Sequence, residues 1–133
     1  MGADHTINYR AIPDWGREAR AMTGVGVDHV VEVGGAGTLP QSIDACAFGG
    51  HIALIGVLAG RAGAVPTALL MHKQIRLQGL TVGSRRHLQD LIRAIDASDL
   101  SPVIDRVFPL ERMADAFAYQ GSGRHFGKIC ITT

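Results

Sequence analysis

Three segments of the sequence end in small or apolar residues beside glycine, where a flat ligand could be held. They are Val33-Gly34-Gly35, Ile55-Gly56-Val57 and Leu80-Thr81-Val82-Gly83. Each follows a strand-like apolar run, and in open α/β sheets ligands bind beyond the carboxyl ends of the strands. We therefore expect a flat, largely uncharged ligand to lie against bare backbone at these ends. The alternative is that the glycines only terminate strands.

The segment Gly34-Gly35-Ala36-Gly37 joins a predicted strand to a predicted helix, as phosphate-binding turns do. It does not match G-x-G-x-x-G, and it is not a Walker loop. We favour a turn that ends the strand over a pyrophosphate site.

Residues typical of catalysis or metal binding do not occur at useful spacings. No two of the six histidines flank a glutamate in an HExxH pair, and no serine lies in a G-x-S-x-G turn. Cys46 and Cys130 form no CxxC pair, and we interpret them as buried thiols rather than a disulfide. The sequence thus predicts no catalytic residue and no metal ligand.

Length and composition indicate one globular domain. The chain has 133 residues, of which 47% are hydrophobic and 19% charged, and its net charge is +1. This charge gives no reason to expect nucleic acid as a partner or an anionic membrane surface. No apolar stretch reaches the roughly 20 residues that span a bilayer, and no basic start precedes an apolar run as in a signal peptide. We expect a cytoplasmic protein.

The hydrophobic pattern predicts alternating strands and helices. Strands are predicted at residues 5–9, 28–33, 51–57, 75–82, 103–108 and 127–132. Helices are predicted at residues 15–22 after Asp14, 38–48, 67–72, 85–96 after Ser84, and 110–121. This alternation favours a parallel sheet flanked by helices.

Four motifs, in this order, resemble the medium-chain dehydrogenase/reductase superfamily, in its group of zinc-type alcohol dehydrogenases and quinone oxidoreductases. They are GADHTINYR at residues 2–10, GVDHVVEVGG at 26–35, FGGHIALIG at 48–56 and GRHFGKICI at 123–131. The resemblance covers essentially the whole chain. It implies an α/β fold: a partial Rossmann-type parallel sheet with flanking helices that lacks the first two strands.

The resemblance also implies a domain organisation and a set of site residues. Residues 1–133 would be the C-terminal portion of a dinucleotide-binding domain, and the GroES-like catalytic domain of the family would be absent. Val33, Gly34 and Gly35 would line the adenosine side, and Tyr9 would lie near the adenine ribose or be a surface residue at a sheet edge. Residues that would meet the nicotinamide end are Ile55, Gly56, Val57, Leu80 and Val82.

The function implied by the resemblance is that of a fragment of an NAD(P)-dependent oxidoreductase. This fragment would form the nicotinamide-side wall of the cofactor site and be inactive alone. Binding of NAD or NADP would be weak or absent in the isolated chain, and zinc would belong only to the missing domain. The alternative is a non-catalytic assembly or binding module that completes a partner subunit.

Without the first two strands of the family sheet, the strand at residues 28–33 would have an open edge, which is a pairing liability. We expect either self-association or movement of residues 5–9 directly beside residues 28–33. A second association surface is expected at residues 63–67. A homodimer or a strand-exchanged oligomer is thus the expected assembly.

Overall fold

The computed structural model describes residues 2–98 and 100–133. The chain forms two compact units, one ending at Val82 and the other beginning at Gly83. The predicted single domain begins at Met1, which lies outside the described residues. We describe each unit by itself.

The first unit alternates helices and strands, with one 3₁₀ turn at Gly35–Gly37. Its elements are α1 (Trp15–Thr23), β1 (Val27–Glu32), α2 (Leu39–Ala45), β2 (Cys46–Leu54), α3 (Thr67–His72) and β3 (Arg76–Gly79). The three strands form one parallel sheet in the order β1-β2-β3. This arrangement follows from the apolar strands and the short helices between them, since parallel neighbours need a crossover connection.

The core of the first unit lies between the sheet and helices α2 and α3. Its buried members are Leu39, Ile43, Cys46, Ile52 and Ile75. Both Ile43 and Ile52 are fully buried, so α2 and β2 supply the centre of the core. The faces of α2 and β2 that meet in this core are therefore well packed, and they position the carboxyl edge of the sheet.

The buried side chain of Lys73 binds carbonyl groups at the C-terminal end of α2. Its Nζ donates hydrogen bonds to the carbonyls of Ile43 (2.9 Å), Asp44 (2.6 Å) and Cys46 (3.0 Å). The Arg20 guanidinium donates to the same Cys46 carbonyl at 3.1 Å. Two cations thus satisfy carbonyls that a helix end leaves without intrahelical partners.

The second unit contains α4 (Arg85–Asp96), β4 (Ile104–Pro109), α5 (Met113–Gly121) and β5 (Lys128–Thr132). Strands β4 and β5 are parallel and form a two-stranded sheet. Asp105 links β4 to α5 and to the segment before β5. It accepts hydrogen bonds from the Tyr119 hydroxyl at 2.8 Å and the Phe126 N–H at 3.1 Å.

The α/β fold with parallel sheets and flanking helices is confirmed, although the strands form two sheets instead of one. Helices α3 and α4 have the predicted bounds, and Ser84 caps α4 by accepting a hydrogen bond from the His87 N–H. Asp14 occupies the residue before α1, but its side chain makes no capping bond. Helix α2 ends at Ala45, earlier than predicted, because the chain becomes extended at Cys46.

The strand predicted at residues 5–9 is wrong. Among the described residues, β1 pairs only with β2, so residues 5–9 do not pair with β1 either. A strand needs a hydrogen-bonding neighbour, and here the chain turns instead at Asn8. The Asn8 carbonyl accepts hydrogen bonds from the Ala11 N–H at 3.0 Å and the Ile12 N–H at 2.9 Å.

Candidate functional site at the strand ends of the first sheet

The carboxyl ends of β1, β2 and β3 lie side by side. Glu32 is opposite Leu54, and Leu54 is opposite Gly79. The residues that directly follow the three strands are Val33, Ile55 and Leu80. Their exposed fractions are 48%, 49% and 48%, respectively. Three half-exposed apolar side chains thus follow the ends of adjacent parallel strands, where α/β sheets bind ligands.

A cleft of about 460 Å³ lies at the end of β1. It is lined by Tyr9, Trp15, residues 30–34, Thr38, Ser42, Leu58 and Ala59. Of the predicted site residues, it brings together Tyr9, Val33 and Gly34. Its size falls within the range of small-molecule sites, and most of its lining is apolar. A flat ring could lie in it.

The other predicted site residues lie outside the lining of this cleft. They are Gly35, Ile55, Gly56, Val57, Leu80 and Val82. Ile55 and Leu80 share the same sheet edge, and Val82 is 96% exposed. Their contacts with a nicotinamide ring stay a prediction, as do those of Tyr9, Val33 and Gly34 with the adenosine.

Two of the predicted glycines are required by close packing of the loops. A Cβ on Gly35, whose φ is +77°, would lie 2.9 Å from the Val57 Cα. A Cβ on Gly56 would lie 3.1 Å from the Val33 Cα. The first distance is shorter than real Cβ contacts, and a Cβ on Gly56 would also overlap the Val33 carbonyl oxygen, so both glycines have a structural role whatever they bind.

Three backbone hydrogen bonds join the loop after β1 to the loop after β2. The Leu58 N–H donates to the Val33 carbonyl (3.2 Å), and the Ala59 N–H donates to the Gly34 carbonyl (2.6 Å). The Ala36 N–H donates to the Gly60 carbonyl (3.0 Å). The expectation of bare backbone at this strand end is therefore wrong, because these carbonyls already have partners within the protein.

The carboxylate of Glu32, the last residue of β1, accepts hydrogen bonds from N–H groups in the turn that follows β1. Its Oε1 accepts hydrogen bonds from the N–H groups of Gly34 (2.7 Å) and Gly35 (3.0 Å) and from the Thr38 hydroxyl. Its Oε2 accepts one from the Ser42 hydroxyl. Glu32 is only 3% exposed, yet both of its oxygens have partners.

These hydrogen bonds decide the ionisation of Glu32. Burial works to raise the pKa of the carboxyl, because a charge loses its hydration in the interior. The donors at Ser42, Thr38, Gly34 and Gly35 favour the carboxylate and together outweigh burial, so the pKa of Glu32 lies below its ordinary value. Glu32 is thus a buried anion at neutral pH.

Sequence reasoning missed Glu32, Thr38 and Ser42 as parts of this site. The available signal was a glutamate at the end of an apolar strand, followed by two glycines and then by two hydroxyl side chains one helical turn apart. That pattern predicts a carboxylate that folds back onto the turn after its own strand.

The sequence model of zinc-binding dehydrogenases matches residues 1–131. The chain belongs to the zinc-binding dehydrogenase family. The zinc-type alcohol dehydrogenase-like protein of Schizosaccharomyces pombe is 41% identical over 98% of this chain and 39% of that protein. Quinone oxidoreductase-like protein 2 of Bos taurus is 24% identical over 98% of this chain and 40% of that protein. The chain thus spans about two fifths of the length of these relatives.

Solved structures of dehydrogenases share the fold. A crystal structure of an NAD-dependent alcohol dehydrogenase is 37% identical, with a TM-score of 0.85, over 99% of this chain and 38% of that one. The crotonyl-CoA carboxylase/reductase AntE in complex with NADP is 28% identical, with a TM-score of 0.79, over 93% of this chain and 31% of that one.

The residues present do not fit the zinc that the family name implies. Within residues 2–98 and 100–133, no group of three or more His, Cys, Asp or Glu side chains is placed to hold a metal ion. Both cysteines are free, and Cys46 is buried in the core. No step is therefore assigned to zinc on these residues.

None of the helices in the described ranges is long and apolar enough to cross a membrane.

Proposed function

We propose that this zinc-binding dehydrogenase chain forms one wall of an NAD or NADP site in an oxidoreductase of the alcohol dehydrogenase or quinone oxidoreductase type. The observation that carries the proposal is the row of half-exposed apolar residues Val33, Ile55 and Leu80 at the ends of three parallel strands. When bound, the nicotinamide cofactor would supply hydride transfer. The residues of the wall would orient its ring and exclude water.

The adenosine end of the cofactor is assigned to the cleft at the end of β1. Tyr9, Val33 and Gly34 line this cleft, and its volume of about 460 Å³ accommodates an adenine ring with its ribose. Gly35 and Gly56 have no side chain, which allows the loops after β1 and β2 to pack closely beside the cleft. The AntE structure is in complex with NADP, which supports a nucleotide cofactor for this chain.

Alone, the chain should bind the cofactor weakly and perform no turnover. Tight dinucleotide binding needs N–H groups that hold the pyrophosphate, usually at a glycine-rich turn. In the turn after β1, the N–H groups of Gly34 and Gly35 donate to Glu32, and that of Ala36 donates to Gly60. These donors are therefore not available to a phosphate.

Titration of the isotope-labelled chain with NAD or NADP tests this proposal. We expect saturable amide shifts at Tyr9, Val33, Gly34, Ile55 and Leu80. The dissociation constant should be on the order of 1 mM, which corresponds to about −4 kcal/mol. An assay with an alcohol or a quinone should give no turnover by the isolated chain.

A matched pair of variants locates the site. Val33→Trp fills the cleft and should weaken nucleotide binding at least about tenfold, a loss of roughly 1.4 kcal/mol. Val25→Trp changes an exposed residue outside the cleft and should leave binding unchanged. Equal effects of the two variants, or shifts confined to other parts of the chain, would contradict the proposed wall.

A non-catalytic assembly module is the second candidate, and the edge of β1 favours it. In the described chain, the side of β1 away from β2 has no strand partner, and Val31 in this strand is exposed. Such an edge can pair with another chain. We propose that it supports a homodimer or a strand-exchanged oligomer in the cytoplasm, where free cysteines are usual.

Light scattering tests the proposed assembly. We expect a mass near twice the 14.1 kDa of one chain at high protein concentration. Val31→Pro, which removes a donor from the open edge, should shift the protein toward the monomer. Ala62→Pro, in an exposed loop outside residues 63–67, should not. A strictly monomeric wild-type protein at every concentration would refute self-association.

A further inference from the structure

The turn after β1 has the backbone geometry of an anion-binding concavity. Gly34 is right-handed, with φ −85° and ψ −29°, whereas Gly35 has φ +77°. A right-handed residue followed by a left-handed one aims successive N–H groups toward the same side, where they can hold an anion. In this chain the anion is already present, because both N–H groups donate to Oε1 of Glu32.

The charge of Glu32 is held by neutral donors only. Two backbone amides and the hydroxyls of Thr38 and Ser42 surround the carboxylate. None of the ion pairs formed within residues 2–98 and 100–133 includes Glu32. Its negative charge is therefore not cancelled by a cation, and it borders the cleft that Tyr9 and Val33 also line.

We propose that Glu32 determines which part of a ligand this cleft accepts. Its carboxylate fills the concavity of Gly34 and Gly35 and keeps phosphate groups away, so the cleft takes an uncharged nucleoside portion. The inference rests on the proposed function for the identity of the ligand. The exclusion of anions follows from the turn itself and can be measured without a cofactor.

This assignment has a physical reason in the balance of charge. A phosphate near Gly34 would find both N–H groups already bonded to Glu32, and it would also meet the negative charge of that carboxylate, which has no cationic partner. An adenosine has no net charge, so it meets neither penalty. The phosphates of a dinucleotide must consequently lie away from the end of β1.

Inorganic phosphate is the direct probe of this proposal. Amide spectra of the whole chain should show no saturable shift at Gly34 or Gly35 when phosphate is added to the wild type. Glu32→Gln keeps the size of the side chain but removes its charge. Its amide oxygen still accepts from the Gly34 and Gly35 N–H groups, so the decisive variant is Glu32→Ala, which removes the charge and the acceptor together. Glu32→Ala should give a saturable phosphate shift at these two amides.

Glu111→Ala is the matched control, because it removes one exposed carboxylate in the second unit and leaves Glu32 in place. It should exclude phosphate as the wild type does. Saturable phosphate shifts at Gly34 and Gly35 in the wild type would overturn the proposal, and so would continued exclusion by a folded Glu32→Ala. If Glu32→Ala does not fold, the wild-type titration still decides.

A second arm separates this proposal from the proposed function. Adenosine should shift the amides of Tyr9 and Val33, and AMP should bind there more weakly than adenosine in the wild type but not in Glu32→Gln. Failure of both adenosine and AMP to bind would count against the cofactor wall alone. The phosphate arm would still report on Glu32.

Discussion

Replacing Glu32 by alanine should lower the free energy of unfolding by roughly 3–5 kcal/mol, as expected for loss of a buried hydrogen-bond network. The carboxylate satisfies the N–H groups of Gly34 and Gly35 and the hydroxyls of Thr38 and Ser42. Its removal leaves buried donors without partners and a cavity at the end of β1. Urea denaturation followed by circular dichroism measures the change.

An exposed glutamate provides the control for this substitution. Glu111→Ala, in the second unit, should change the free energy of unfolding by less than about 0.5 kcal/mol. A loss below about 1 kcal/mol for Glu32→Ala would show that the network contributes little.

The same substitution should change the pH dependence of stability. The pKa of Glu32 is lower in the folded protein than in the unfolded chain. Its stabilisation is thus complete above the ordinary glutamate pKa and is lost as the pH falls through the lower folded value. Wild-type protein should lose this increment on acidification, and Glu32→Ala should not.

Replacing Lys73 by alanine should destabilise the first unit by roughly 3 kcal/mol, because hydrogen bonds to a charged group are strong and buried acceptors are costly to leave unpaired. Lys73 is only 4% exposed, and it binds the carbonyls of Ile43, Asp44 and Cys46 at the end of α2. Thermal denaturation should show a lower transition temperature for the variant.

Two further variants separate charge from packing at this position. Lys73→Met keeps most of the side-chain volume, so its loss relative to wild type reports on the ammonium group. Lys128→Ala removes an exposed lysine from β5 and should have little effect. Wild-type stability in Lys73→Ala would mean that water or Arg20 satisfies the three carbonyls equally well.

Much of the fold was predictable because local signals and tertiary packing agree. Ser84 followed by the stripe Leu88, Leu91 and Ile92 predicts α4, and its bounds match the structure. The prediction failed where a partner strand was needed, since residues 5–9 have strand-like residues but no neighbour. Strand propensity alone does not supply the hydrogen bonds that make a strand.

The candidate site was predictable only in part. Apolar runs with adjacent glycines predicted three neighbouring strand ends, although β2 and β3 end at Leu54 and Gly79, three residues before the predicted ends. The partners of the backbone were not predictable, because they depend on contacts across the fold. Lys73, for example, reaches the Ile43 carbonyl thirty positions earlier in the chain. The resemblance to dehydrogenases supplied roles for residues at the strand ends but not the network around Glu32.

The hydrogen bonds that join Val33, Gly34 and Ala36 to the segment of residues 58–60 limit how this protein can diverge. Surface loops usually tolerate insertions. Here one added residue between Gly56 and Gly60 would shift every donor away from its acceptor in the other loop. The two connections must therefore keep matched lengths, and variation in length among descendants of this sequence should fall in other segments, such as residues 61–66.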